Sequence, residues 1–120
     1  MLRGIMTASV SLDLPLRYLD KVRAILRQYV PDYDVWAYGS RVRGGAFAAS
    51  DLDLVVRNPR HPLQPCDRIF DLRSAFLESD LPIQVDVMDW ARIPPAFRQE
   101  IVRGFVVVQA ATVPTMHTTG

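Results

Sequence analysis

The sequence predicts one α/β (α+β) domain in which helices back a small mixed β-sheet. Segments with helical and with strand periodicity alternate along the chain, in the order helix, strand, loop, strand, helix, strand, helix. The 120 residues are enough for one modest hydrophobic core. A hydrophobic content of 49% and a charged content of 22% are typical of a globular protein.

The first helix and the first strand follow from local patterns. Apolar residues recur at three- and four-residue spacing from about Leu12 to Val30, which predicts a helix. Asp13 is expected to cap its start, with Pro15 in the first turn, and Pro31 ends it. The short apolar run at 34–38 then predicts a strand.

The most informative stretch begins where this strand stops and ends in a second strand-like run. Gly39 permits a tight exit from the first strand, and Ser40 adds a hydroxyl beside the backbone N–H groups of a short helix that could hold an anion. Side chains two apart in a strand share a face, so Asp51 and Asp53 should stand side by side. Paired carboxylates suit Mg²⁺ or Mn²⁺, which bind through carboxylates and substrate phosphates.

Cationic and flexible residues connect the two halves of this stretch. Arg41 and Arg43 supply donors for phosphate, but the sequence does not decide which of them points toward a ligand. Gly44 and Gly45 relieve crowding where the chain turns back. Phosphate-binding groups beside metal-binding carboxylates indicate a nucleoside triphosphate site. The alternative is an ordinary hairpin with a flexible glycine-rich loop and an exposed acidic strand.

The second half of the chain supplies a third carboxylate. A proline-containing loop at 57–65 leads to an amphipathic helix that ends near Glu78. Period-two alternation over 81–90 predicts a strand in which Asp86 stands among apolar residues, where a charge is costly unless it is paired or metal-bound. Asp86 is therefore expected to join the site, provided that its strand lies beside the acidic one. Asp89 is the rival, and we expect it to cap the next turn.

The remaining segments complete the domain. A third helix is expected over 93–102, and a short apolar run at 105–108 adds a strand or a final core contact. We expect residues 1–11 to be an irregular leader, 12–108 to be the folded domain and 109–120 to be a disordered tail.

Composition excludes several classes of protein. The net charge of +1 gives no overall reason to bind nucleic acid or a membrane. Cys66 is the only cysteine, so no internal disulfide can form, and a reducing compartment is indicated. No apolar run approaches the roughly 20 residues that cross a bilayer, and a signal peptide is not evident. We therefore expect a cytoplasmic protein.

The motif at the centre of the chain resembles that of a known superfamily. Gly39-Ser40, ten further residues and then Asp51-Leu52-Asp53 resemble the Gly-Ser…Asp-x-Asp signature of the DNA polymerase beta-like nucleotidyltransferases. The fuller form, Gly-Ser-Arg-x-Arg-Gly followed by Ser-Asp-x-Asp-Leu, is similar to the minimal nucleotidyltransferases. These are small stand-alone domains, often paired with a HEPN-domain protein as a toxin–antitoxin system. The similarity covers about residues 14–108.

This resemblance implies a nucleotidyltransferase fold and a metal-dependent transfer of AMP from ATP. The acceptor it implies is a tyrosine of a HEPN toxin held in a hetero-oligomer. One alternative is transfer to RNA, against which the net charge argues; another is a binding module that neutralises its partner by contact alone, against which the clustered carboxylates argue. The implied site consists of Asp51, Asp53 and Asp86 as catalytic ligands of two Mg²⁺ ions (Mn²⁺ being possible), with Gly39, Ser40, Arg41 and Arg43 as nucleotide-binding residues.

Overall fold

The computed structural model of the protein describes residues 11–44 and 50–112. Its centre is a four-stranded mixed sheet with the strand order β3-β2-β1-β4. β1 runs antiparallel to both β2 and β4, whereas β2 and β3 are parallel. The predicted α/β (α+β) class with a small mixed sheet is confirmed. The strands are β1 (Asp34–Tyr38), β2 (Leu52–Arg57), β3 (Val85–Asp89) and β4 (Val106–Gln109).

Helices cover both faces of this sheet. α1 and α3 pack on one face, and a 3₁₀ turn at Trp90–Arg92 packs with α4 on the other. The parallel pairing of β2 with β3 requires a crossover connection, and α3 provides it. The helices are α1 (Leu16–Tyr29), α2 (Ser40–Arg43), α3 (Ile69–Leu77) and α4 (Pro95–Val102).

The larger core lies between the sheet and the helices α1 and α3. Strand alternation sends one set of side chains to this face, and the expectation that Leu52 and Leu54 turn toward a core is confirmed, since both are fully buried. The cluster joins strand residues to one apolar stripe from each helix. Its fully buried members include Val22 and Leu26 of α1, Val35 and Ala37 of β1, Val56 of β2 and Leu72 of α3.

A smaller aromatic cluster fills part of the opposite face. The Trp36 ring stacks on Phe105 with centroids 4.2 Å apart, and it meets Trp90 edge-on at 5.4 Å. Val55 and Ile101 complete the buried part of this cluster. Because Trp36 and Tyr38 are two residues apart in β1, Tyr38 points to this same face at the strand end. The cluster thus supports the sheet surface next to the acidic residues.

The first helix begins later than its periodicity predicts. Pro15 occupies the N-cap position of α1, and no side chain caps the helix. The expectation that Asp13 is the cap is therefore wrong. The Asp13 N–H instead donates to the Arg41 carbonyl oxygen at 2.6 Å. The segment before α1 bends at Leu14, and its side chains Leu12 and Leu14 pack against the core.

The acidic strands are also shorter than predicted. β2 begins at Leu52, so Asp51 precedes the strand rather than lying within it. β3 begins at Val85 rather than at Leu81, because Pro82 has no N–H group for a strand ladder and the chain bends at Pro82 and Ile83.

The chain remains ordered beyond the predicted end of the domain. Gln109 belongs to β4, and its side-chain amide donates to the Val30 carbonyl oxygen at 2.8 Å. The Thr112 N–H donates to the Pro31 carbonyl oxygen, also at 2.8 Å. Residues 109–112 of the predicted tail thus pack on the turn that precedes β1, and the rest of that tail, 113–120, lies outside the described residues, as does nearly all of the predicted leader.

Within the described ranges, no helix combines the length and apolar character needed to cross a membrane.

Candidate functional site

Three polar side chains form a row across three adjacent strands. Tyr38 at the end of β1 pairs with Asp53 near the start of β2, and Asp53 pairs in turn with Asp86 of β3. Paired residues on adjacent strands project to the same face, so the two carboxylates are direct neighbours. Asp86 was expected to join the site only if its strand lay beside the strand of Asp53, and β3 does lie beside β2.

Asp51 joins this row from just outside the sheet. It is exposed, and the residue after it, Leu52, is held at the strand start because its N–H donates to the Gln84 carbonyl oxygen at 2.9 Å. Asp51 and Asp53 are therefore near one another, although they are not two consecutive same-face residues of one strand as the sequence predicts.

The electrostatics of the row show how closely its charges interact. Burial raises the pKa of the Asp53 carboxyl above its usual value, and the negative charges of Asp86 and then Asp51 raise it further. Burial, with help from Asp53 and Asp86, also raises the pKa of the Tyr38 hydroxyl to about 12. Tyr38 therefore stays protonated at neutral pH. The site therefore concentrates negative charge, and a bound cation would reduce the repulsion between its carboxylates.

Gly39 allows the Gly39-Ser40 turn to lie close to the Asp53 carboxylate. Its backbone angles, φ 82° and ψ −155°, lie in a region that is nearly restricted to glycine. A Cβ atom at this position would collide with Asp53 Oδ2 and would lie 3.3 Å from Asp53 Cγ. Any side chain here would displace the carboxylate. Ser40 follows directly as the first residue of α2, as predicted.

The two arginines of the motif take different positions. Arg41 is only 4% exposed, and its guanidinium donates to the carbonyl oxygens of Ser50 and Asp13. Arg43 lies at the surface, where its Nη2 is 3.4 Å from Glu100 Oε1. The guanidinium of Arg41 is thus directed at backbone carbonyls within the protein, while that of Arg43 remains accessible from solvent.

The acidic residues suit a hard divalent cation by their chemistry. As they are positioned, no three carboxylate, histidine or cysteine groups of residues 11–44 and 50–112 lie close enough to hold a metal ion. Asp51 and Asp86 are exposed, however, so their side chains can turn toward an ion shared with Asp53. Carboxylate oxygens are the hard ligands that Mg²⁺ and Mn²⁺ prefer. The donor set therefore fits such an ion.

Asp89 does not belong to this site. It is buried at the far end of β3, where its carboxylate accepts hydrogen bonds from the Ala91 N–H at 3.3 Å and the Cys66 N–H at 2.9 Å. The predicted role of Asp89 as a cap for the next turn is confirmed. Asp86 is thereby left as the carboxylate of β3 that faces the site.

Two residues of this region were not predicted from the sequence. Tyr38 was visible as the last residue of β1, but only the strand register places it beside Asp53. Glu100 lies on α4, and nothing in its local pattern indicates the contact with Arg43. Neither residue belongs to a motif that could have revealed it.

Comparison with known proteins establishes the class of protein. A family model described as a nucleotidyltransferase domain matches residues 19–110, and the chain belongs to this family. The resemblance found in the Gly-Ser…Asp-x-Asp motif is thus confirmed. The chain is 45% identical over 106 residues to the Haemophilus influenzae protein named "Probable protein adenylyltransferase MntA". The match covers 87% of this chain and 90% of that protein.

Solved structures share the fold at lower sequence identity. One is a toxin–antitoxin crystal structure with AMP-PNP (TM-score 0.61, 24% identity, 78% of this chain and 73% of that chain covered). Another is a MntA–HepT toxin–antitoxin (TM-score 0.58, 21% identity, 82% and 74% covered). A third is a tri-AMPylated Shewanella oneidensis HEPN toxin in complex with MNT antitoxin (TM-score 0.57, 21% identity, 81% and 72% covered). These matches confirm the predicted nucleotidyltransferase fold.

Proposed function

We propose that this chain is a protein adenylyltransferase that moves AMP from ATP to a tyrosine hydroxyl of a HEPN toxin and so acts as an antitoxin. The observation that carries the proposal is the register-paired row of Asp53 and Asp86 beside the Gly39-Ser40 turn. The names of its relatives support it, since one is a probable protein adenylyltransferase and others are toxin–antitoxin complexes with an ATP analogue or an AMPylated toxin.

The acidic residues would form the metal-binding part of the site. Nucleotidyltransferases generally use divalent metals and ATP. Asp51, Asp53 and Asp86 would hold two Mg²⁺ ions, or Mn²⁺, whose charge stabilises the attacking and the leaving oxygens during transfer. Asp53 is the best candidate for a ligand shared by both ions, because it interacts with both Asp51 and Asp86 and Gly39 leaves room for its carboxylate.

The transfer itself requires one proton acceptor. The oxygen of the tyrosine hydroxyl attacks the α-phosphorus, the bond from this phosphorus to the bridging oxygen breaks, and pyrophosphate leaves. Asp86 would accept the hydroxyl proton, because it lies on the edge strand β3 and is exposed to an incoming partner. Asp53, which is half-buried in the middle of the row, is less accessible to an acceptor.

The serine turn would hold the β- and γ-phosphates. Ser40 offers a hydroxyl, and the open conformation of Gly39 lets the backbone approach a phosphate. Arg43 is the better candidate for a charged contact, because it lies at the surface whereas Arg41 is buried against backbone carbonyls. We expect this reaction in the cytoplasm, because it would use ATP and a toxin partner held in a hetero-oligomer.

Incorporation of label from ATP tests this function. The purified chain is incubated with Mg²⁺, total RNA and the product of the neighbouring gene as the candidate HEPN protein, using ATP labelled at either the α- or the γ-phosphate. We expect the α-label, and not the γ-label, on a tyrosine of the HEPN protein. Label on RNA, or a stable complex without label, would refute protein adenylylation.

Matched variants connect that activity to the site. Asp51→Asn and Asp53→Asn should abolish labelling, because each removes a charged metal ligand. Asp20→Asn changes an exposed carboxylate on α1, away from the row, and should label the partner as the wild type does. If the Asp53 variant stayed active, the metal assignment would be wrong.

A further inference from the structure

Arg41 connects three separate segments of the chain. Its Nε and Nη2 donate to the Ser50 carbonyl oxygen at 3.2 and 3.0 Å, and its Nη1 donates to the Asp13 carbonyl oxygen at 2.8 Å. The Asp13 N–H donates back to the Arg41 carbonyl oxygen at 2.6 Å. The buried guanidinium therefore links α2 to the segment before α1 and to the segment before β2.

The contact with Ser50 fixes the backbone next to an acidic residue of the site. The Ser50 carbonyl group forms the peptide bond to Asp51. On the other side of Asp51, the Leu52 N–H is held by the Gln84 carbonyl oxygen at 2.9 Å. Asp51 lies outside the strand ladder. The position of its Cα atom is therefore set by hydrogen bonds on either side, from Arg41 to the Ser50 carbonyl oxygen and from the Leu52 N–H to the segment before β3.

We propose that Arg41 is a positioning residue, which holds Asp51 beside Asp53 so that the two carboxylates can share a divalent cation. The proposal rests on the function given above and departs from the expectation that Arg41 binds the nucleotide. A guanidinium that is 4% exposed could reach a phosphate only by leaving Ser50 and Asp13. Leaving them would break three part-buried hydrogen bonds donated by a charged group, which is costly.

The chemistry of the contact requires arginine rather than any cation. Two nitrogens of the rigid guanidinium plane meet one carbonyl oxygen while a third meets another carbonyl oxygen. A lysine keeps the charge but presents it as a single point on a flexible stem, so it cannot hold both segments in fixed relation. Groups that orient metal ligands typically change metal affinity or activity by about 10- to 100-fold when they are replaced.

The test is the affinity of the isolated chain for Mn²⁺, measured from the loss of the free-ion EPR signal. Arg41→Lys should weaken Mn²⁺ binding by about 10- to 100-fold and lower kcat similarly, with little change in the KM for ATP. The matched control is Arg23→Lys. Arg23 Nε also donates to a backbone carbonyl oxygen, that of Val108 at 3.1 Å, but on β4 at the opposite edge of the sheet. Its replacement should leave Mn²⁺ affinity and kcat unchanged.

Each other outcome overturns the proposal in a distinct way. Normal Mn²⁺ affinity with a raised KM for ATP would make Arg41 a phosphate ligand, and a lowered Tm alone would make it merely structural. If Arg41→Lys does not fold, Arg41→Gln provides the same comparison. Because Mn²⁺ binding needs no acceptor, the measurement remains decisive even if the wild-type chain transfers no AMP to any protein.

Discussion

Replacing Asp53 by asparagine should stabilise the fold while it abolishes transfer. The Asp53 carboxyl is half-buried, and its pKa is raised first by that burial and then by the negative charges of Asp86 and Asp51. At neutral pH the folded protein thus carries a charge that its surroundings disfavour. Asparagine has the same shape and no charge, so it removes the repulsion and keeps the packing against Gly39.

The expected gain in stability is small, because the row of Tyr38, Asp53 and Asp86 is partly exposed to solvent. Removal of an unfavourable charge commonly stabilises a domain by roughly 0.5–2 kcal/mol. Because solvent reaches Asp53 and screens its neighbours, we expect about 1 kcal/mol, which corresponds to a rise in Tm of about 4 °C for a chain of this size.

The predicted stabilisation depends on pH. The pKa of Asp53 is higher in the folded than in the unfolded chain, so the folded state binds more protons and wild-type stability falls as the pH rises through that interval. The advantage of Asp53→Asn should be complete at pH 7 and should shrink toward zero as the pH falls to the usual aspartate value of 3.8.

Thermal unfolding in EDTA at pH 7 and near pH 3.8 measures the difference in Tm between Asp53→Asn and the wild type. Asp20→Asn is the surface control, and its Tm should barely change. Addition of Mg²⁺ should then raise the Tm of the wild type more than that of Asp53→Asn, because an ion that binds only the folded state stabilises it. Charge repulsion at Asp53 would be excluded as the cause if Asp53→Asn were less stable than the wild type in EDTA at pH 7, or if its advantage were the same at both pH values.

Two further predictions concern the residues around this carboxylate. Gly39→Ala should destabilise the fold by roughly 1–3 kcal/mol and abolish labelling, because its φ of +82° disfavours a side chain and the new Cβ meets Asp53. Gly104→Ala, which meets nothing within 4 Å, should leave Tm and activity nearly unchanged, and equal losses in both variants would contradict this explanation. Glu100→Gln should lower the KM for ATP about two- to threefold by releasing Arg43 from a surface ion pair. An unchanged KM would remove Arg43 from the nucleotide site.

The sequence predicted those parts of the fold that local chemistry determines. β1 occupies the predicted residues 34–38, since Pro31 and Gly39 delimit it on either side. Strand alternation also separated Asp86 from Asp89, because two residues three apart in a strand face opposite sides of the sheet. The cost of burying a charge did not separate them, since Asp86 is exposed and Asp89 is the buried carboxylate. Asp89 indeed turns away to cap the 3₁₀ helix.

Contacts between distant segments could not be predicted in this way. Arg41 and Arg43 are two residues apart on one short helix, and both are plausible phosphate ligands. Their different orientations depend on carbonyl groups that lie 28 and 9 residues from Arg41, in Asp13 and Ser50. The same long-range contact explains why Asp13 does not cap α1. No local pattern records such a link, because it exists only after the segments have packed together.

The site itself combines one local and one distant element. β1 and β2 form an antiparallel pair, so the Gly39-Ser40 turn and the acidic pair meet as soon as these two strands associate. Asp86 joins the site through the parallel pairing of β3 with β2, which depends on the crossover helix α3. Arg73 of α3 also holds this edge strand, because its Nε and Nη2 donate to the Val87 carbonyl oxygen at 3.0 and 2.7 Å. The proposed phosphate-binding turn and the first two carboxylates therefore depend on the pairing of β1 with β2, whereas the proposed proton acceptor depends on the docking of α3.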